Sequence, residues 1–168
     1  MKKNITACNI IAYLIVILLV LLVVPFVVPR LFGIEPYGIL SDSMVPSMPV
    51  GSVVYVKECE PADVEAGDAI TFKLGSAAKN VATHRIVEKD EETKEFITKG
   101  DHNDEKDANP VAYERLIGKV VMTVPYLGYI YLWVMSTTGV AVCAFAFFVA
   151  GILWFYVAKW KKQLKKRV

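Results

Sequence analysis

Two long apolar segments without a charged residue flank a polar middle region, and this pattern restricts the fold more than any other feature of the chain. No charge occurs between Lys3 and Arg30, and none between Lys119 and Lys159. All 17 acidic residues lie between these two blocks. The hydrophobic fraction of 55% exceeds that of an average globular protein because of the blocks. We therefore predict two membrane anchors with a polar domain between them.

The first block, Ile5 to Val28, is long enough to cross the roughly 30 Å hydrocarbon core as a helix. A cleaved secretory signal is the alternative, since the chain starts Met-Lys-Lys. Its apolar run is longer than that of a usual signal, and it ends near Pro25 and Pro29 without a small-residue cleavage site. Residues 1–29 are predicted to be an uncleaved N-terminal transmembrane anchor.

The second block, Val120 to Ala158, would be about 58 Å long as one helix, which is too long for a single span. Two spans would put the basic tail on the same side of the membrane as the acidic region, against the positive-inside rule. We therefore predict an aromatic interfacial segment over 126–136, a transmembrane helix over 137–158 and a basic cytoplasmic tail over 159–168.

Positive charges on the outer ends of both blocks predict that both termini are cytoplasmic. The polar domain, residues 30–125, is then extracytoplasmic or lumenal, and the lipid bilayer is a partner of the chain. The basic tail could also attract nucleic acid, but it is explained more simply as the cytoplasmic edge of a span. No nucleic-acid partner is expected.

Short runs rich in Val, Ile, Phe, Tyr and Thr, separated by Gly-containing turns, predict a mainly β polar domain. The predicted strands are Val53–Lys57, Ala69–Lys73, Ala82–Glu88, Glu95–Lys99 and Ile117–Val124. The polar run between the third and fourth of these predicts a hairpin in which Lys89 faces Glu95. In that register His84 lies opposite Gly100, next to the acidic loop 101–107.

Metal and disulfide chemistry are poorly supported. Cys59 is the one cysteine of the polar domain, which excludes a disulfide within it, and three cysteines in all do not make a zinc site. Asp101, Asn103 and Glu105 alternate as calcium ligands do, but Lys106 stands where an EF-hand loop needs glycine. We expect no metal and no cofactor.

A serine and a histidine in the polar domain could act together as nucleophile and base. Ser43 lies in the turn Ser41–Pro46, and His84 lies on a predicted strand. A serine hydroxyl needs a base within hydrogen-bond reach, and an imidazole can take its proton and return it to a leaving amine. A carboxylate to orient the imidazole could come from Asp101, Asp104 or Asp107.

The motifs around these residues resemble those of type I signal peptidases, over residues 36 to about 125. They comprise SDSMVP (41–46), GD (67–68), THRIV (83–87), TKGDHND (98–104) and IGKVV (117–121). The resemblance is greatest to the endoplasmic-reticulum, archaeal and Gram-positive branch, in which histidine replaces the general-base lysine. It implies a signal-peptidase-like β-sheet catalytic domain flanked by N- and C-terminal transmembrane helices.

The resemblance implies the roles of individual residues. Ser43 would be the acylating nucleophile and His84 the general base. Asp107 would complete the triad, and Asp101 would shape the site from nearby. The hydroxyl of Ser41, with the backbone N–H of Ser43, would hold the tetrahedral oxyanion.

The resemblance also implies the substrate, which is the signal peptide of an exported preprotein cut after small residues, as in A-x-A. The substrate is expected to bind as an extended strand along Gly38–Ser41 and Ala82–His84. Predicted substrate-binding residues are Ile39, Leu40, Ala82 and Thr83. Accessory subunits and the secretion machinery are further candidate partners.

Two departures from the family pattern concern charged or ionisable neighbours. Asp42 stands between the two serines, where it could disfavour the oxyanion, and His102 replaces a usual asparagine. Two alternatives stay open. One is a lysine base, Lys89 or Lys99, and the other is a non-catalytic anchored β-domain that binds extended peptides or supports a membrane complex.

Overall fold

A computed structural model of the protein describes residues 2–75 and 80–165. The chain forms two compact units. One contains the described residues up to Val27 and from Tyr131 onward, and the other comprises Val28–Ile130. The fold is mainly β with long apolar helices at both ends, as predicted.

The first unit is helical, and one of its helices, α2, begins within the residues of the second unit. Helix α1 spans Lys2–Val27, α2 spans Leu127–Met135 and α3 spans Thr137–Lys165. Two segments, Thr6–Phe32 and Thr137–Trp160, are long and apolar enough to cross a membrane. Only 11% of each is buried, so apolar side chains cover their outer surfaces.

Helices α1 and α3 pack against each other, and aromatic side chains contribute to this contact. The rings of Tyr13 and Trp154 meet edge to face with centroids 5.8 Å apart. The transmembrane helix predicted over 137–158 is part of α3, which continues past Ala158. Lys166 and Arg167 of the predicted basic tail lie outside the described residues.

The second unit is built on a seven-stranded antiparallel sheet in the order β1-β2-β7-β3-β4-β5-β6. Its strands are β1 Ile34–Gly38, β2 Val53–Lys57, β3 Ala69–Lys73, β4 Val81–Asp90, β5 Glu95–Lys99, β6 Val111–Ala112 and β7 Leu116–Val124. Short 3-10 helices occupy Pro29–Phe32, Pro61–Asp63 and Tyr113–Arg115. The candidate site lies beside the end of β1 and the first half of β4.

The five predicted strands are confirmed, with ends that differ by at most two residues. Strands β1 and β6 were not predicted from the sequence. The sequence of β1 is IEPYG, in which Pro36 and Gly38 weaken the strand signal. An edge position tolerates both residues, because only one side of β1 pairs with a neighbour. Strand β6 has two residues and no periodicity to detect.

The predicted pairing of Lys89 with Glu95 is wrong by one residue. Asp90 faces Glu95, and Lys89 faces Phe96. An irregularity between Ile86 and Glu88 then absorbs one residue of β4. Beyond it, Arg85 faces Lys99, which is the register that the sequence predicted for that end of the hairpin.

Two apolar clusters cover the sheet. The first contains Ile39, Met44, Met48, Val54, Val56 and Ala69. The second contains Val64, Ile70, Phe72, Ile86, Phe96 and Val111. Because Met44 and Met48 belong to the first cluster, the turn between β1 and β2 is anchored to the sheet at two points.

Candidate active site

The turn that carries Ser43 is held by its apolar neighbours and by backbone hydrogen bonds. Met44, the next residue, is 1% exposed. The N–H of Val45 donates to the carbonyl of Asp42 at 3.0 Å, and the N–H of Met48 donates to the carbonyl of Met44 at 2.8 Å. The apolar residues bury one side of the turn and leave the Ser43 side chain at its surface.

Ser43, His84 and Asp107 form a continuous hydrogen-bonded series. The Oγ of Ser43 lies 3.2 Å from Nε2 of His84. The Nδ1 of the same ring lies 2.5 Å from Oδ2 of Asp107. The side chains of His84 and Asp107 are 17% and 22% exposed, so both are largely shielded from water. A nucleophile, a base and an orienting carboxylate are therefore in hydrogen-bond contact.

A fourth residue, Thr98, supports the carboxylate, and sequence analysis missed it. Its hydroxyl donates to Oδ2 of Asp107 at 2.6 Å, and its carbonyl accepts from the Asp107 N–H at 2.8 Å. Thr98 is completely buried. The sequence could have indicated this role. Thr98 follows Phe96 by two residues and so lies on the same buried face of β5, where a hydroxyl needs a hydrogen-bond partner.

The acidic loop also contacts the turn that carries the serine. The backbone N–H of His102 donates to the carbonyl of Ser43 at 2.8 Å. Gly100 permits this approach, because a Cβ there would lie 2.6 Å from the same carbonyl oxygen and 2.8 Å from Nδ2 of Asn103. His102 thus contributes its main chain to the position of Ser43.

Asp101 binds an arginine rather than the histidine. The Nε and Nη2 of Arg85 donate to its two carboxylate oxygens at 2.8 and 2.6 Å. These bonds to the Arg85 guanidinium hold the pKa of Asp101 below its usual value. Arg85 also donates from Nη1 to the carbonyl of Gly67 at 2.8 Å, which links the acidic loop to the turn before β3.

Ser41 lies beside the nucleophile. Its Oγ is 3.3 Å from that of Ser43, close enough for its hydroxyl to reach an oxygen bound next to Ser43. Asp42 is exposed, so water screens its charge. The four predicted substrate-binding residues all line a cavity of about 230 Å³ that includes Ser43 and His84. They are Ile39, Leu40, Ala82 and Thr83.

Tyr37 closes one side of this cavity. Burial and a hydrogen bond from its hydroxyl to Glu35 raise the pKa of Tyr37 to about 12. The phenol therefore stays neutral under physiological conditions and acts as a wall.

Neither lysine of the alternative hypothesis contacts the serine. Lys89 pairs with Glu91 at 3.2 Å, and Lys99 donates to the carbonyl of Asp104 at 3.3 Å. Within residues 2–75 and 80–165 there is no group of three or more His, Cys, Asp or Glu side chains arranged to hold a metal ion.

Comparison with known proteins matches the chain to characterised peptidases. The family model described as "Signal peptidase, peptidase S26" matches residues 10–101. Signal peptidase I W of Bacillus subtilis (strain 168) is 38% identical over 91 residues, which cover 52% of this chain and 47% of that protein.

A second relative comes from the yeast Ogataea parapolymorpha (strain DL-1). Its signal peptidase complex catalytic subunit SEC11 is 33% identical over 111 residues, covering 55% of this chain and 62% of the relative. The chain therefore matches between about half and three fifths of the length of these relatives. The family match extends over more than half of the chain and includes Ser43, His84 and Asp101. This protein belongs to the signal peptidase family, peptidase S26.

Proposed function

We propose that this protein is a membrane-bound serine endopeptidase that removes signal peptides from exported preproteins by cutting after small residues. The observation that carries the proposal is the hydrogen-bonded series Ser43, His84, Asp107 at the edge of a cavity. Family membership supports the same class of reaction.

In the acylation step, Oγ of Ser43 attacks the carbonyl carbon of the scissile peptide bond. Nε2 of His84, 3.2 Å away, accepts the hydroxyl proton as the new C–O bond forms. The ring becomes an imidazolium ion, and Asp107 stabilises this charge through its 2.5 Å contact with Nδ1.

The substrate carbonyl oxygen becomes an oxyanion in the tetrahedral intermediate. The Ser41 hydroxyl and the Ser43 backbone N–H are its donors. Removal of one such donor commonly costs about 10²–10³-fold in kcat. Asp42 lies on the exposed side of the turn, which limits its repulsion of the oxyanion.

The imidazolium proton then passes to the leaving nitrogen, and the C–N bond breaks. The mature protein departs with a free amino terminus, while the signal peptide remains esterified to Ser43. A water molecule gives a proton to His84 and attacks the ester carbonyl. When that intermediate collapses, Ser43 regains its proton and the signal peptide leaves with a free carboxylate.

The substrate binds as an extended strand between two backbone edges. Residues 81–85 of β4 pair with β3, whereas the pairing of β4 with β5 begins only at Arg85. The edge of Ala82 and Thr83 is therefore available to a peptide. On the other side, the N–H and the carbonyl of Ile39 bond to Ser52 and Gly51, so strand alternation turns those of Leu40 toward the cavity.

We attribute the proposed preference for small residues to the cavity between these edges. Its volume is about 230 Å³, and Ile39, with only 8% of its surface exposed, forms part of its wall. The cavity must hold at least two side chains of an extended substrate together with its backbone. Alanine-sized side chains fit this space, and larger ones would have to displace packed residues.

The segments Thr6–Phe32 and Thr137–Trp160 are proposed as two membrane spans, with both termini cytoplasmic and residues 30–125 outside. A signal peptide shares the bilayer with these anchors, which raises its effective concentration. The relative SEC11 is named as a subunit of a complex, and accessory subunits are proposed here on that basis.

The test compares purified wild type with Ser43→Ala in detergent, using a synthetic preprotein with alanine at both small-residue positions. We expect wild type to release the mature part by a single cut and Ser43→Ala to release none, with equal unfolding temperatures. Ser47→Ala is the comparison in the same turn: its hydroxyl bonds to Asp101 and not to His84, so this variant should still cleave. Equal cleavage by both proteins, or none by either, would favour the non-catalytic β-domain.

Topology has a separate test. Reporter fusions at each end should both report the cytoplasm, and a fusion between Gly75 and Asn80 should report the opposite side. An external C-terminus would contradict the two-span arrangement.

A further inference from the structure

A second cavity lies beside His84, next to the one that contains Ser43. Its volume is about 600 Å³. The two cavities share Leu74, Ala82 and His84, so they adjoin along these three side chains, which include the imidazole. The larger one is also lined by Asp107 and Arg115, whereas Ser43 and Ser41 line only the smaller one. We call the larger space the Arg115 cavity.

Arg115 has no partner in the part of the chain that the structure describes. Its Nε is buried and makes no hydrogen bond. None of the ion pairs among residues 2–75 and 80–165 includes it, although Glu95 also lines the cavity. A buried donor without an acceptor costs free energy, so this guanidinium would gain from an anion placed in the cavity.

The position of the cavity indicates which part of a substrate reaches it. This step rests on the proposed function. His84 returns its proton to the leaving nitrogen from Nε2, so the leaving segment begins next to that ring. The signal-peptide side occupies the smaller cavity, which contains Ser43 and Ser41. The leaving segment continues on the side where the Arg115 cavity adjoins His84.

We propose that the Arg115 cavity binds the first residues of the mature protein, and that Arg115 recognises a glutamate or aspartate side chain among them. The guanidinium can donate two parallel hydrogen bonds to a carboxylate. An extended chain advances about 3.3 Å per residue, so a long acidic side chain at one of the first three positions can reach past His84. Exported proteins with an early acidic residue are then the favoured substrates.

Peptide binding tests this proposal without requiring cleavage. The probes are three pairs of hexapeptides with a free amino terminus, and each pair carries either Glu or Gln at position 1, 2 or 3. Their affinities for the full-length Ser43→Ala protein in micelles are measured by calorimetry. We expect one position at which Glu binds about tenfold more tightly than Gln, the scale of one charge-assisted hydrogen bond. Adding Arg115→Gln should reduce that ratio to about one.

A substitution of opposite sign serves as the control. Glu95→Gln removes one of the two carboxylates that line the same cavity, the other being that of Asp107, and should raise the preference for Glu. If Arg115→Gln does not fold, the effect of Glu95→Gln on the preference for Glu tests the proposal by itself. Equal binding of Glu and Gln peptides at all three positions, no binding of either at millimolar concentration, or an unchanged preference in the variants would overturn the proposal. Failure of cleavage by wild type would instead count against the peptidase activity alone.

Discussion

Replacing Thr98 by valine tests whether the support behind Asp107 contributes to catalysis. Thr98 is fully buried, and its hydroxyl donates to the same carboxylate oxygen that contacts His84. Valine has nearly the same shape, so the substitution removes the donor and leaves little empty space. Asp107 then keeps its contact with His84 but loses the bond that restrains its rotation. Thr98 acts here as a positioning residue, through Asp107 and His84.

The size of the effect follows from the bond that is lost. A hydrogen bond to a charged group contributes about 1.5–3 kcal/mol. Since about 1.4 kcal/mol corresponds to a factor of ten, kcat/KM should fall by about 10- to 100-fold if the bond acts fully in the transition state. KM should change little, because Thr98 does not line the cavity that contains Ser43.

The assay measures kcat and KM of wild type, Thr98→Val and Thr98→Ser on one fluorogenic preprotein peptide, together with their unfolding temperatures. Thr98→Ser keeps the hydroxyl and should recover most of kcat, even though it lacks the methyl group. A purely structural role for Thr98 would instead make Thr98→Ser the less stable and less active variant. Equal kcat in Thr98→Val and wild type would show that the Thr98 hydroxyl does not contribute to catalysis.

Three further substitutions probe the site and its support. Gly100→Ala places a Cβ 2.6 Å from the Ser43 carbonyl oxygen, so kcat/KM should fall by about 10- to 100-fold, whereas Gly151→Ala, with no atom within 4 Å of the added Cβ and no positive φ, should leave it unchanged. Phe96→Ala empties a site with 0% exposure and should lower the free energy of unfolding by about 3–5 kcal/mol, measured in urea. Arg85→Gln should flatten the acid dependence of stability. The lowered pKa of Asp101 stabilises the fold above the unfolded carboxyl pKa of about 3.9, and this stabilisation is lost as pH falls through the folded value. Between pH 7 and 3 the unfolding temperature of wild type should therefore drop further than that of the variant, and parallel curves would contradict this.

Local pattern was enough to predict most of the sheet. Runs rich in β-branched and aromatic residues, separated by turn residues, identified β2, β3, β4, β5 and β7, because such residues favour a pleated, buried surface. Strand β1 escaped this criterion, since its Pro36 and Gly38 are tolerated only by its edge position. The irregularity in β4 had no local signal, and it shifted the hairpin by one residue.

The candidate site was partly predictable for a different reason. Ser43 and His84 stand in short motifs whose order along the chain resembles a known family, so their roles could be proposed before any distance was measured. For the carboxylate, the family pattern favoured Asp107 over Asp101, but the predicted hairpin could not choose between them. Both aspartates belong to one loop, and the structure places Asp101 against Arg85 and Asp107 against His84.

Local sequence was enough to predict apolar blocks around a polar β-domain and to nominate Ser43 and His84 as nucleophile and base. Charge and hydropathy are sums over neighbouring residues, so the chain carries them without folding. The folded structure supplied the contact of Asp107 with the imidazole, the hydrogen bond from Thr98 to that carboxylate, and the place of Arg115 in a cavity next to His84. The two hydrogen-bonded pairs lie 23 and 9 positions apart in the sequence, and their distances depend on strand register and loop packing.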